Sequence, residues 1–344
     1  MRIAVIGYGG IGRAFITLIA NKISKLHDDG YNFQINYILN SSGGIYDPEG
    51  INCEDVIRFS NSKKNIVSYP NGGSIELNFN TLLKNNDVDI LIELTPTNKE
   101  TGGAGMIHIR EALERGIHVI TANKGPILLA YNELHEIAVK NNVQLAIGCT
   151  TGGALPAINA GIFDMAGSEI LSIEGILNGT TNFILKEMED NSVTYEEALK
   201  KAQKLGIAET DPTLDVEGFD TASKLLILTN VLMHQTKTLK DIAVDGITSI
   251  TLEDMNKAKE ENKKYKLMGR AYKINNELIM TVKLEKLDPN HILYGVNGKD
   301  KAVRFTSDTL GDLTILGGAS GVTPAAASIL RDLINIINGY KFSK

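Results

Sequence analysis

The sequence predicts an α/β protein built on a doubly wound parallel sheet, with a second α/β domain after it. Three observations carry that prediction. A β-branched apolar run opens the chain and passes through a glycine-rich turn into a helical segment. Short apolar runs and helical segments then alternate to about residue 150, which a parallel sheet covered on both faces accommodates. Beyond that point the alternation gives way to helices and then to strands of a second sheet.

The first strand is "RIAVIG", and "GRAFITLIANKI" follows at helical spacing. "NFQINYILN" reads as the second strand. Residues 41 to 75 contain "SSGG", "NSKKN" and "PNGG", turn signals that predict loops and irregular structure. "NDVDILIELTPT" is a buried strand, and "GMIHIREALERG" is a helix ended by Gly116. "IHVITANKGP" is a strand with Lys124 at its end, "ILLAYNELHEIAVKNN" a helix and "VQLAIGCT" a strand. "TTGGALPAINAGI" is a glycine-rich turn entering a helix. "EILSIEGILNGTTNFILKEM" reads as strand, turn and helix. "TYEEALKKAQKLG" is an amphipathic helix, "DTASKLLILTNVLM" a more apolar one, and "EDMNKAKEENKKYK" a charged, solvated one. "KLMGRAYKI", "ELIMTVKLEKL" and "AVRFTSD" are strands, and "TPAAASILRDLINIIN" is the last helix.

A chain of 344 residues is too long for one ordinary core and suits two domains. With 43% hydrophobic and 22% charged residues, a packed soluble protein is expected. The net charge of −6 disfavours a general nucleic-acid binder. Two distant cysteines, Cys53 and Cys149, make neither a disulfide framework nor a zinc cluster, and a reducing, cytoplasmic setting is expected. No apolar run reaches transmembrane length, and "MRIAVIGYGG" has no cleavable signal pattern, so no membrane partner is expected. The histidines are scattered without a metal-binding pair; His108 and His118 flank one helix and read as structural.

Four motifs could carry chemistry. "GYGGIG" places Gly7, Gly9 and Gly12 at G-x-G-x-x-G spacing between a strand and a helix. Glycines there permit a tight turn and close approach of backbone N–H groups to a pyrophosphate, the mark of a Rossmann-type dinucleotide site. The second strand ends at Asn40 and Ser41, which can bond a ribose but offer no counter-charge to a 2′-phosphate. This leans to NAD over NADP, and Lys63 or Lys64 folding back would reverse it. Lys124, at a strand end, faces either a ligand or solvent. "ILNGTTNFIL" is either a polar turn for a small substrate or an Asn-Gly turn with Thr180 or Thr181 as helix cap. The fourth, residues 206–228, crowds Glu209, Asp211, Asp215, Glu217 and Asp220 ahead of Lys224 and an apolar run. Asp220 and Lys224 are four apart on one helix face, either an ordinary salt bridge or a half-buried proton donor beside carboxylates that receive an ammonium.

In their order and spacing, "GYGGIG", "TANK", "GILNGTTNFIL" and above all "LGIAETDPTLDVEGFDTASKLLIL" resemble homoserine dehydrogenases, from residue 1 to about residue 340. The resemblance implies reversible reduction of L-aspartate 4-semialdehyde to L-homoserine with NAD or NADP, in threonine, methionine and isoleucine biosynthesis. It implies catalytic roles for Lys224, Lys124 and Asp220, and substrate contacts at Glu209, Asp215, Gly179 and Thr180. Cofactor contacts would come from Gly7, Tyr8, Gly9, Gly10, Ile11, Gly12, Asn40, Ser41, Thr95 and Lys124. It further implies a homodimer, and a monovalent cation on the backbone carbonyls of Thr151, Gly153 and Leu155.

The chain departs from the family at two positions. Many members carry a glutamate for the cation where this chain has Gly148, and a tyrosine where it has Ile207. Longer members append a threonine-sensing regulatory domain, and feedback through such a domain is not expected here. The expected organisation is a nucleotide-binding domain over 1–150, a substrate-binding and dimerisation domain over 151–318, and a helix over 319–344 returning to the first domain. Two other readings stay open: a dehydrogenase of this fold acting on another amino aldehyde or an amino acid's amine, and a nucleotide sensor without turnover.

Overall fold

The computed structural model describes residues 1–343. They divide into two compact units, one of residues 1–150 with 321 onward, the other of residues 151–320.

In the first unit, β1 (Arg2–Ile6) leads into α1 (Gly10–Asp28), and β2 (Gln34–Asn40) lies parallel beside β1. Then come β3 (Gly43–Tyr46), α2 (Cys53–Asn61), β4 (Gly73–Ser74) and α3 (Phe79–Asn85). The wound pattern resumes with β5 (Ile90–Glu93), α4 (Gly103–Glu114), β6 (His118–Thr121), α5 (Lys124–Lys140) and β7 (Leu145–Ala146). The sheet order is β4-β3-β2-β1-β5-β6-β7. The β1, β2, β5, β6 and β7 pairings are parallel, and their central residues are buried on both faces, as continuous apolar runs require.

The sequence had residues 41–75 as irregular. They instead form β3, α2, a 3₁₀ turn and β4, with β3 pairing antiparallel to both β2 and β4. Turn residues hid this because the strands are only four and two residues long. Asparagines start the local helices: Asn52 Oδ1 accepts from Asp55 N–H and Asn78 Oδ1 from Thr81 N–H.

After α6 (Cys149–Gly152) and α7 (Ala157–Asn159), the second unit contains β8 (Ile170–Ile176), α8 (Gly179–Asn191), α9 (Tyr195–Lys204), α10 (Thr213–Val216) and α11 (Phe219–Leu232). It continues with β9 (Ile242–Val244), α12 (Leu252–Glu260), β10 (Lys264–Ile274), β11 (Glu277–Leu287), β12 (Lys301–Ser307) and β13 (Asp312–Gly317). Its sheet order is β13-β12-β8-β10-β11-β9, mostly antiparallel. Two short strands, β9 and β13, carried no sequence signal strong enough to name. The solvated helix also ends earlier than expected: Glu261 closes it, and "KYK" already belongs to β10. α11 is buried at every position from Leu225 to Leu232, which anchors this helix in the core. The last helix, α13 (Val322–Ile337), packs on α1 within the first unit.

Candidate active site

The nucleotide side is built at the carboxyl ends of β1, β2 and β5. There a cavity of about 1050 Å³ is lined by Gly7, Tyr8, Gly9, Gly10, Ile11, Asn40, Ser41 and Thr95, among others. Of the residues expected to touch a cofactor, Gly12 and Lys124 are not in this lining. Gly12 serves packing instead, because a Cβ there would lie 2.0 Å from the Gly7 carbonyl oxygen. Gly7 has φ +104°, and a side chain would strike the Leu94 carbonyl at 2.5 Å. Gly9 is different: a Cβ there meets nothing within 4 Å. It precedes α1 with no side-chain cap, and Gly9, Gly10 and Ile11 bring the start of that helix to the cavity wall. An anion's oxygens fit such a helix start.

Beside this cavity is a smaller pocket of about 310 Å³, lined by Tyr8, Arg13, Asn40, Ser60, Lys63, Lys64, Asn65 and Ile66. It brings three cations to the end of β2 and holds no carboxylate. Arg13 Cζ lies 5.8 Å from the Tyr8 ring centre, and Tyr8 Oη is 3.1 Å from Ser60 Oγ. Asn40 Oδ1 already accepts from Ser42 N–H at 2.8 Å, which leaves its amide as a donor. Lys63 and Lys64 thus share one pocket with Asn40 at the end of β2.

Two further residues belong to this region: His108, read from the sequence as structural, lines the cavity, and Glu93, which the sequence did not point to, is buried behind Thr95. Glu93 ends β5 with no exposure to solvent. It accepts from Thr95 N–H at 3.0 Å, from the Thr95 hydroxyl and from Thr121 Oγ1 at 3.2 Å. His108 Nδ1 is 3.7 Å from this carboxylate, and its ring centre lies 4.6 Å from that of Phe79 with the planes tilted by 56°. A carboxylate closing an otherwise apolar strand was the available signal. His118 is structural, its Nδ1 accepting from Gln144 N–H at 2.9 Å. Lys124 is the half-buried first residue of α5, whose start is held by Asn123 Oδ1 accepting from Gly125 N–H at 3.1 Å.

The second unit holds the acidic stretch. Lys224 Nζ donates to Asp220 Oδ2 at 2.5 Å and to the Leu177 carbonyl at 2.9 Å. These two bonds use two of its three protons. The pair is about one-seventh exposed, not fully solvated, so it is no ordinary surface bridge. Asn178 connects the cluster: Nδ2 donates to Asp215 Oδ1 at 2.6 Å and to Asp220 Oδ2 at 2.9 Å. Its Oδ1 accepts from Thr181 N–H at 2.9 Å, so the cap of α8 is Asn178 and not Thr180 or Thr181.

The remaining substrate-side candidates surround this cluster less directly. Thr180 Oγ1 donates to the Ile207 carbonyl at 3.1 Å, tying the α8 start to the segment before the acidic stretch. Gly179 allows close approach of the Lys299 carbonyl, 2.7 Å from where a Cβ would be. Glu209 is exposed and lies outside the Asn178 hydrogen bonds. Asp211 turns inward to its own chain, accepting from Thr213 N–H and Oγ1 to start α10.

The chain matches two family models, "Homoserine dehydrogenase" over residues 156–334 and "Homoserine dehydrogenase, NAD binding domain" over residues 7–147. It is 39% identical over 341 residues to a homoserine dehydrogenase of Methanocaldococcus jannaschii, covering 99% of this chain and 100% of that one. It is 36% identical to an NAD(+)-dependent homoserine dehydrogenase of Pseudomonas canavaninivorans, over 97% of this chain and 96% of the relative. Among solved structures, homoserine dehydrogenase of S. aureus superposes with a TM-score of 0.79 at 28% identity, covering 99% of this chain and 77% of that one.

Proposed function

The chain belongs to the homoserine dehydrogenase family, and on that premise we propose how its residues divide the work of that reaction. The reaction is the reversible, nicotinamide-dependent reduction of L-aspartate 4-semialdehyde to L-homoserine, a step toward threonine, methionine and isoleucine. When bound, the nicotinamide supplies the hydride or accepts it. Gly9, Gly10 and the start of α1 would hold the pyrophosphate, with Thr95 and Ile11 along the same cavity.

Lys224 is the proton donor to the aldehyde oxygen, and Lys124 is a second active-site lysine. The single observation behind the first role is the Lys224 ammonium, held by Asp220 and the Leu177 carbonyl with one proton left to give. A cation fixed in this way stabilises the negative charge that develops on oxygen as hydride arrives at carbon. Asp220 positions the lysine. Asp215, kept in line by Asn178, receives the substrate ammonium together with Glu209, and Gly179 and Thr180 form the turn beside it.

For the cofactor, NADP is favoured over NAD. Arg13, Lys63 and Lys64 supply positive charge where a 2′-phosphate would sit, and the Asn40 amide is a donor. An NAD site places a carboxylate acceptor at this strand end, and this chain has none there. The protein works as a cytoplasmic homodimer. Both cysteines are buried and outside any disulfide, in keeping with a reducing compartment, and Leu310, just before the edge strand β13, and Leu316, within it, are exposed. No helix of the described residues is long and apolar enough to cross a membrane.

The test is to mix the purified protein with homoserine and either NADP or NAD, and follow reduced nicotinamide absorbance at alkaline pH. Turnover is expected with NADP at lower concentration than with NAD. Lys224→Met should lower kcat by about 10³-fold while nucleotide affinity is retained. Near-normal turnover in that variant would overturn the role of Lys224, and an equal or better response to NAD would overturn the cofactor assignment.

A further inference from the structure

Lys301 is a buried lysine that the reaction does not use. It begins β12, is 4% exposed, and directs its ammonium into the glycine-rich loop after α6. Nζ donates to the Gly152 carbonyl at 2.8 Å and to Ser320 Oγ at 3.2 Å, and lies 3.9 Å from where a Gly153 Cβ would be. Burying a full positive charge is costly unless oxygen dipoles surround it. This is the same loop to which the resemblance assigned a monovalent cation.

The residues present do not fit such an ion. Gly148 has no carboxylate to offer, and its N–H donates to Asp332 Oδ2 at 2.9 Å. The Leu155 carbonyl, one of the three expected ligands, accepts from Ala157 N–H at 2.9 Å. The Gly152 carbonyl accepts from Leu155 N–H at 3.2 Å as well as from Lys301. Among the described side chains of the loop, the Thr151 hydroxyl is left buried without a partner, and it brings no negative charge to an ion. No group of three acidic, histidine or cysteine side chains among the described residues is placed to hold a metal. An added ion would also meet the ammonium's like charge at close range.

We propose that the Lys301 ammonium is a tethered cation that replaces a monovalent metal ion in the Thr151–Leu155 loop. The glycine-for-glutamate change at 148 and the lysine at 301 are then two halves of one exchange. One removes the negative charge that a free ion needs; the other supplies a positive charge that cannot dissociate. The protein should hold this loop in order without sodium or potassium.

The test compares sodium, potassium and choline chlorides at fixed ionic strength, reading both melting temperature and homoserine turnover. The melting readout needs no turnover, so its outcome is separable from the assigned reaction. For the unaltered protein, both readouts should be the same in all three salts. A saturable rise in melting temperature with sodium or potassium would overturn the proposal. Lys301→Met should melt lower in choline and recover with sodium or potassium, more so when combined with Gly148→Glu. Lys301→Arg should stay insensitive to the salt. If Lys301→Met folds but ignores the ions, alone and with Gly148→Glu, the lysine is a packing element only and the proposal fails. If it does not fold in any salt, the unaltered protein's response decides.

Discussion

Asn178 Nδ2 lies 2.6 Å from Asp215 Oδ1, and the same amide reaches Asp220 Oδ2 at 2.9 Å. One side chain therefore holds two carboxylates at fixed separation beside the Lys224 ammonium, which shares Asp220. Without that amide, the two acidic groups would repel one another and the lysine would lose its alignment.

Asn178→Ala should raise KM for homoserine and lower kcat/KM by about 10- to 100-fold, as expected when a positioning group is lost. It also removes the cap of α8, a loss of about 1 kcal/mol. Asn178→Ser separates the two effects. Serine caps a helix but cannot bridge two carboxylates, so the melting temperature should recover while kcat/KM does not. Recovery of both would show that Asn178 acts only through the helix.

Gly9 and Gly12 should respond in opposite ways. A Cβ at Gly9 meets no protein atom, so Gly9→Val should melt within about 1 °C of the parent yet weaken nucleotide binding about tenfold or more. A Cβ at Gly12 would strike the Gly7 carbonyl, so Gly12→Ala should lower the melting temperature by several degrees even without nucleotide. Calorimetry and a nucleotide titration on both variants distinguish these outcomes. Unchanged nucleotide affinity in Gly9→Val would remove the pyrophosphate from this helix start.

Lys63→Ala and Lys64→Ala should each weaken NADP binding by about tenfold, because each removes a charge-assisted contact worth about 1.4 kcal/mol, and leave NAD binding alone. Arg13→Ala should weaken both, since Arg13 also lies over the Tyr8 ring. The NADP effects should shrink with added salt. Equal losses for the two nucleotides in the lysine variants would locate those side chains away from the 2′ position.

Lys266 gives a pH dependence of stability. It is 1% exposed, donates to Asn182 Oδ1 at 2.9 Å and to the Val296 carbonyl, and burial pushes its ammonium down to about 8. The unfolded chain binds this proton up to about pH 10.4. Between the two values the unfolded state carries more protons, so stability from this group rises with pH. The folded protein should gain up to ~3 kcal/mol relative to Lys266→Met between pH 8 and 10.4, read as a shift in denaturant midpoint. A difference that stays constant with pH would mean that the ammonium titrates alike in both states.

Features carried by neighbours in the chain were legible in the sequence alone. The strand, glycine turn and helix at residues 2–28 needed only local periodicity and spacing, and so did the Asp220–Lys224 pair, four residues apart on one helix. The apolar run after Lys224 told that its helix would be anchored, and α11 is buried along that run. The tertiary structure decided what depends on residues far apart in the chain. Asn178 reaches carboxylates 37 and 42 positions away, and Glu93 meets His108 and Thr121 from three different elements. Arg13 joins Lys63 and Lys64 only because α1 and the segment after α2 converge at the end of β2, and Lys301 finds Gly152 from 149 positions away. No periodicity encodes such meetings. Sheet order and burial set them, and both are properties of the whole packed core, not of any one segment.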